Sequence, residues 1–166
     1  MTRAEPPPEY EIELFRRADG SEPVRRFIDS LSNDKRDALL AALAHILARQ
    51  GLGVCGSEWG KQLGGGLAEF RLRHDEREVL AREGATAKPD LPVSSPEKIL
   101  LRVFFHAHGK RLVLLLSGYD KGARPNARHQ QREIERARGY LKEWRATQSR
   151  ERRTPGRATK GRRARS

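Results

Sequence analysis

Thiols and aromatic rings are scarce in this chain: one cysteine, two tryptophans, three tyrosines and five phenylalanines in 166 residues. The single thiol, Cys55, excludes an internal disulfide, and with no second thiol nothing marks a zinc site. Long apolar runs are also missing. The longest run of large aliphatic side chains is Leu112 to Leu116, far short of a membrane span, so no membrane association is expected. Met1 to Pro8 is polar and proline-rich without a hydrophobic segment; no secretory signal is expected there, and the chain reads as cytoplasmic. Apolar residues make up only 36%. That supports one compact core with part of the chain left outside it.

Positive charge is in excess. Thirty-four Lys and Arg against 22 Asp and Glu give a formal net charge of +12, which points to a polyanionic partner, nucleic acid or an acidic protein. From Thr147 to Ser166 there are eight basic residues and one acid, Glu151, so +7 of the +12 falls there. That stretch has no large apolar side chain. Residues 147–166 are expected to be a disordered basic tail, either an arm that tracks phosphates or a solvated extension. Residues 1–9, with Pro6, Pro7 and Pro8, are expected to be a second disordered end, leaving 10–146 as the domain.

Within that domain the periodicities are readable. Tyr10 to Phe15 alternates Tyr10, Ile12 and Leu14 with Glu11 and Glu13, a half-buried strand. After the Asp19-Gly20 turn, Ser21 is positioned to cap a short helix with Pro23 in its first turn. Val24, Phe27, Ile28 and Leu31 form its apolar face. A second helix runs from Ser32 or Asn33 to Gly51 on the stripe Leu39, Leu40, Leu43, Ile46 and Leu47, giving two antiparallel helices. Gly64-Gly65-Gly66 lacks the Lys-Ser/Thr of a phosphate loop and reads as a turn.

Three strands follow as a meander: Leu67 to Arg73, Lys98 to His106, and the doubly covered run Leu112 to Ser117. Gly109-Lys110 turns the last hairpin. Pro125-Asn126 opens a final helix with Ile134, Ala137, Leu141 and Trp144 on one face. The expected fold is α+β in a single layer pair: an N-terminal strand and two-helix hairpin packed on a small antiparallel sheet, plus a C-terminal helix. Residues 74–97 are not needed by this scheme and are expected to be a flexible insert, with at most a turn or two of helix at Glu76 to Glu83.

Period two places Arg71 and Arg73 on one strand face, and Arg102 joins them from the neighbouring strand in a suitable register. Tyr119-Asp120-Lys121 follows the central strand, and Lys61 precedes the first meander strand. Such a cluster is either a concave basic surface for a phosphodiester backbone, or an ordinary sheet face in which Arg71 and Arg73 pair with Glu11, Glu13 or Glu69. His106-X-His108 has no third ligand nearby and reads as a solvated hairpin. Trp59 and Trp144 read as packing residues, and Cys55 lacks a base to make it a nucleophile. No metal and no cofactor are expected.

The pieces Asp19-Gly20, Pro23-Val24-Arg25-Arg26-Phe27-Ile28, Lys61-Gln62-Leu63, Gly66-Leu67-Ala68-Glu69-Phe70-Arg71, Leu101-Arg102-Val103-Phe104-Phe105 and Leu115 to Lys121 occur in that order. Together they resemble the HigB-like, phage-derived branch of the RelE/ParE toxin superfamily over roughly Tyr10 to Trp144. The resemblance implies a RelE-like fold of microbial-RNase type. It also implies a type II toxin–antitoxin toxin, an mRNA endoribonuclease, ribosome-dependent or free, that inhibits translation and is held inactive by a helix-turn-helix antitoxin. Carried over by position, it makes Arg71, Arg102, Lys121 and Lys61 the catalytic candidates; Arg73, Tyr119, Arg124 and His129, which are not matched positions, are the RNA-binding candidates. Relatives of the RelE type carry a tyrosine near the start of the final helix, where this chain has Ala127-Arg128-His129. Tyr119 and His129 are the candidates to replace it. The same family leaves two alternatives: a ParE-type inhibitor of DNA gyrase, and a catalytically inactive module that binds RNA or antitoxin.

Guanidinium groups suit the charge that develops on phosphorus when a 2′-hydroxyl attacks, because they stay protonated and match phosphate oxygens in pairs. A lysine among other cations loses its proton more readily, which makes Lys61 or Lys121 an acid or base candidate. Glu69 reads as an orienting ion-pair partner.

Overall fold

Residues 9–82 and 99–153 are described by a computed structural model. The expected disordered N-terminus, most of the insert and most of the basic tail lie outside these residues. Alternation in the first segment produces strand β1 (Glu11–Leu14), with Ile12 and Leu14 half-buried and both glutamates exposed. Helix α1 (Pro23–Ser30) starts on Pro23, whose fixed φ and missing N–H suit a first helical position. Its N-cap is Glu22, not Ser21. The Ser21 hydroxyl instead donates to Asp19 Oδ1 at 2.6 Å and holds the Asp19-Gly20 turn, in which Gly20 takes φ +88.

The second helix begins as expected, with the Ser32 side chain accepting from the Lys35 N–H. It comprises α2 (Asn33–Ala42), a π segment (Leu43–Leu47), α3 (Ala48–Gln50) and a 3₁₀ segment (Gly51–Gly56). By length and composition this stretch passes for a membrane span; half of its most apolar part is buried, with Leu39, Ile46, Leu47 and Val54 in the core. Helix α1 packs chiefly on the sheet rather than on α2.

Strands β2 (Gly60–Gly64), β3 (Leu67–Leu72), β4 (Leu101–His108) and β5 (Leu112–Asp120) complete one sheet in the order β1-β5-β4-β3-β2. Two features depart from expectation. β1 pairs with β5 in parallel, so the sheet is mixed, and Lys61 sits on an added edge strand, β2, rather than in a loop. The triple glycine turns the β2–β3 hairpin, all three residues having positive φ. That backbone is open to glycine and strained for other residues.

Helices cover both faces, so the fold has three layers rather than one layer pair. Toward α1 and α2 lie Phe70, Leu72, Leu101, Val103, Phe105, Val113 and Leu115. Toward helix α5 (Ala127–Arg153) lie Phe104, Leu114, Leu116 and Tyr119, against Ala137 and Leu141. β5 is the doubly covered central strand that its continuous apolar run requires. Asn126 opens α5 by accepting from the Arg128 N–H at 2.7 Å, and the helix continues past residue 146, so 147–153 are helical rather than tail.

The insert is likewise not all loop. Asp75 caps helix α4 (Glu76–Arg82) by accepting from the Glu78 N–H at 2.9 Å, and Val79 is buried in the core beside α2. The expected solvated His106-X-His108 hairpin is also a packed cluster. His106 is 8% exposed, its Nδ1 lies 2.7 Å from Gly66 O, and both rings contact Trp144.

Candidate functional site: a basic rim around a buried Glu–Arg centre

Strand register builds the site. Arg71 of β3 stands opposite Arg102 of β4, and Arg102 stands opposite Tyr119 of β5, so the three form a row across the sheet on the α5 side. One step along the strands, Lys61, Glu69, Phe104 and Ser117 form the next row on the same face. A β-bulge is needed for this. Phe104 pairs with Ser117 but Phe105 with Leu115, so Leu116 is the extra residue. Without it, strict alternation would turn Ser117 and Tyr119 to the α1 side with Val113 and Leu115.

At the centre is Glu69, fully buried. Its Oε1 accepts from Arg71 Nε at 2.8 Å and lies 3.2 Å from Arg102 Nε, a contact without hydrogen-bond alignment. Arg102 is itself only 2% exposed and donates through Nη1 to Leu101 O at 3.3 Å. The expectation of three exposed arginines on a concave surface is therefore corrected. Arg102 is a buried cation neutralised by Glu69, Arg71 is three-quarters covered, and only Arg73, beyond the end of β3, is open to solvent. Burial lowers the pKa of Arg102, Glu69 opposes this, and Arg71 and Arg73 add to it. The group stays charged at any physiological pH.

Around this centre lie groups that suit proton transfer. Lys121, half-buried just past the end of β5, has its pKa lowered first by burial and then by Arg102, with Arg71 and Arg73 adding to the shift and Glu69 opposing it. Tyr119 is 5% exposed, stacks on Phe104 with centroids 6.0 Å apart, and meets His129 edge-on at 5.3 Å. Burial pushes its hydroxyl up to about 12. The hydroxyl has no hydrogen-bond partner among the described residues, and neither do Glu69 Oε2 and Ser117 Oγ. Several buried orphans in one region are uncommon in a native fold and mark polar groups held for something other than stability.

The sequence-derived candidates thus divide. Arg71, Arg102, Tyr119, Lys121 and His129 converge, with Arg73 at the rim. Arg124, exposed, lines a cavity of about 370 Å³ together with Lys35, Tyr119 and His129. Lys61 is exposed one row back on the edge strand, opposite Glu69. Two buried polar residues were not singled out from the sequence. Ser117 is the first polar residue after the run Leu112 to Leu116. Glu133, 4% exposed, falls four residues before Ala137 on the apolar stripe of α5, where a carboxylate is out of place. Its Oε1 accepts from Arg136 Nη1 at 2.7 Å and lies 3.7 Å from His129 Nε2.

Cys55 is half-buried and burial raises its thiol pKa, so it remains a poor nucleophile. Among the described residues no group of three or more His, Cys, Asp or Glu is placed to hold a metal. No protein-family model, curated protein or solved structure matches this chain.

Proposed function

We propose that the chain is the toxin of a type II toxin–antitoxin pair, an endoribonuclease of RelE-like fold that cuts mRNA, acting on the ribosome. The observation that carries this reading is the row Arg71–Arg102–Tyr119 with Lys121 at its open end. Cations of a kind suited to phosphate stand there beside one lysine that gives up its proton more readily than usual and one phenol that holds its proton.

The chemistry divides among these residues. Arg71 and Arg73 bind the scissile phosphate and stabilise charge on its oxygens. Lys121, in its neutral form, removes the proton of the attacking 2′-hydroxyl. Tyr119, protonated far above neutral pH, supplies a proton to the leaving 5′-oxygen. Arg102 is engaged by Glu69 and by the Leu101 carbonyl and is a positioning residue: it fixes Glu69, which orients Arg71, and its charge helps depress the pKa of Lys121. A ribosome that holds the message in place would let so small a set suffice through positioning.

The ion triad Arg71–Glu69–Arg102 also favours a second reading, in which both arginines serve the fold and the protein is an inactive module binding RNA or antitoxin. Induced expression of wild type, Arg71→Ala, Arg73→Ala and Lys121→Gln separates the two, read by growth and by mapping RNA 5′ ends. Growth arrest with new 5′ ends inside messages, relieved in the variants, is expected. Arrest with intact messages and blocked gyrase would overturn the proposal in favour of the ParE-type alternative, and no arrest with stable RNA binding would favour the inactive module.

A further inference from the structure

A second pocket opens beside the Arg71–Arg102–Tyr119 row, where β1 has ended and the edge of β5 is left uncovered. It has a volume of about 200 Å³ and lies between the start of α1 and the middle of α5. Three arginines line it: Arg17 from the loop after β1, Arg26 from α1 and Arg136 from α5. Among the described residues the only lining acid is Glu133, and its Oε1 is already held by Arg136 at 2.7 Å. Arg17 reaches Glu143 at 3.4 Å and lies over the Tyr140 ring at 5.2 Å, which fixes its direction. No side-chain hydrogen bond or ion pair of Arg26 occurs among the described residues. The groups lining the pocket carry three positive charges against one negative; from outside it Glu143 offsets Arg17, and Asp19 acts on Arg17 and Arg26.

Two further observations point to an occupant with acceptor oxygens. Ser117 lines the pocket from the sheet, is 3% exposed, and its hydroxyl has no partner among the described residues. A buried hydroxyl left unpaired costs free energy that a bound acceptor would recover. Ser21 and Pro23 bring the N-terminus of α1 to the same pocket. Its cap residue, Glu22, makes no side-chain hydrogen bond to the first-turn N–H groups, which carry the positive end of the helix dipole.

From this arrangement we infer that the pocket is a subsite for a phosphate group of the RNA strand, next to the scissile phosphate. Ser117 and Tyr119 stand two residues apart on one face of β5, about 6.6 Å along the strand. That is comparable to the step between neighbouring phosphates of a polynucleotide. Arg17, Arg26 and Arg136 surround the phosphate, and Ser117 donates to one of its oxygens. The assignment of RNA as occupant rests on the nuclease reading; the affinity for a phosphate oxyanion does not.

The test separates the two. Thermal unfolding of the full chain is followed in inorganic phosphate and in sodium chloride of equal ionic strength, for wild type, Arg26→Ala, Ser117→Ala and Arg111→Ala. Arg111→Ala removes an equal charge far from the pocket. Phosphate is expected to raise the melting temperature of wild type and Arg111→Ala beyond chloride, with binding about tenfold weaker in the other two variants. Without phosphate, Ser117→Ala should melt no lower than wild type, so a lost response is not a folding defect. Equal responses in all four proteins, or no response beyond chloride, would overturn the subsite. Phosphate bound in the pocket with RNA left intact would remove the RNA occupant and leave the anion site. RNA cleavage by Arg26→Ala at the wild-type rate and KM would sink the subsite and leave the nuclease reading standing.

Discussion

Arg102 Nε lies 3.2 Å from Glu69 Oε1, and neither side chain reaches solvent to a useful extent, at 2% and 0% exposure. The pair sits between Arg71 on one side and Tyr119 on the other, so the most basic part of the sheet is organised around a buried acid. A buried ion pair of this kind is weak in net stability, but breaking it is costly, because the survivor is left charged without a counter-ion.

Arg102→Leu and Glu69→Leu are therefore each expected to destabilise the fold by about 3–5 kcal/mol, while the two combined cost far less than their sum. Urea unfolding of the two single variants and the double variant measures this. Additive costs would show that the two residues do not act as a pair. Loss of activity in Arg102→Leu alone says nothing about chemistry, which is why Arg71, Arg73 and Lys121 carry the functional test.

Strand and helix positions were legible in the sequence wherever one face is apolar and the other polar: β1, β3, β4, the apolar run of β5, and α5 with its stripe of Ile134, Ala137, Leu141 and Trp144. The convergence of Arg71 with Arg102 was legible for the same reason, since period two fixes the face once two strands pair. What escaped depends on tertiary geometry. Alternation counted from Leu112 places Tyr119 on the wrong face, because the bulge at Leu116 has no local signature among five aliphatic residues. The burial of Arg102 and Glu69 follows from helices covering both sheet faces, which no single strand reveals. The parallel pairing of β1 with β5 joins segments about 100 residues apart, so no turn chemistry announces it.

Helix α4 is the turn or two of helix expected at Glu76 to Glu83, and its packing on the core is measurable. Val79 is fully buried among α2 and core residues. Val79→Ala should cost about 2 kcal/mol, from the lost transfer of two methyl groups and the space they leave. Chemical denaturation is sufficient to read this. A change within about 0.5 kcal/mol would mean that α4 does not contribute to the cooperative core.

Tyr119 offers a sharper separation of stability from function. Its hydroxyl is buried and unpartnered, so Tyr119→Phe removes a desolvated polar group and keeps the ring against Phe104 and His129. The variant should be as stable as wild type or slightly more so. If the phenol donates the proton to the leaving oxygen, RNA cleavage falls by about 10²-fold. Unchanged cleavage in a well-folded Tyr119→Phe protein would remove Tyr119 from the mechanism and leave its ring as packing.

The His106–His108–Trp144 cluster gives the fold a pH response distant in kind from the chemistry. Burial lowers the pKa of His106 below its ordinary 6.5; the contact with Gly66 O opposes this, and Arg145 and His108 reinforce it. Between the lowered native value and 6.5 the unfolded chain binds more protons than the native one, so stability rises with pH across that window. The contribution is complete above about 6.5 and is lost as pH falls through the native pKa. His106→Gln cannot take up this proton. In this variant the stability gained between mildly acidic and neutral pH should be smaller than in wild type, measured by urea unfolding at a series of pH values. An identical pH dependence in both proteins would mean that His106 titrates as if exposed, and that the packing against Trp144 does not shield it.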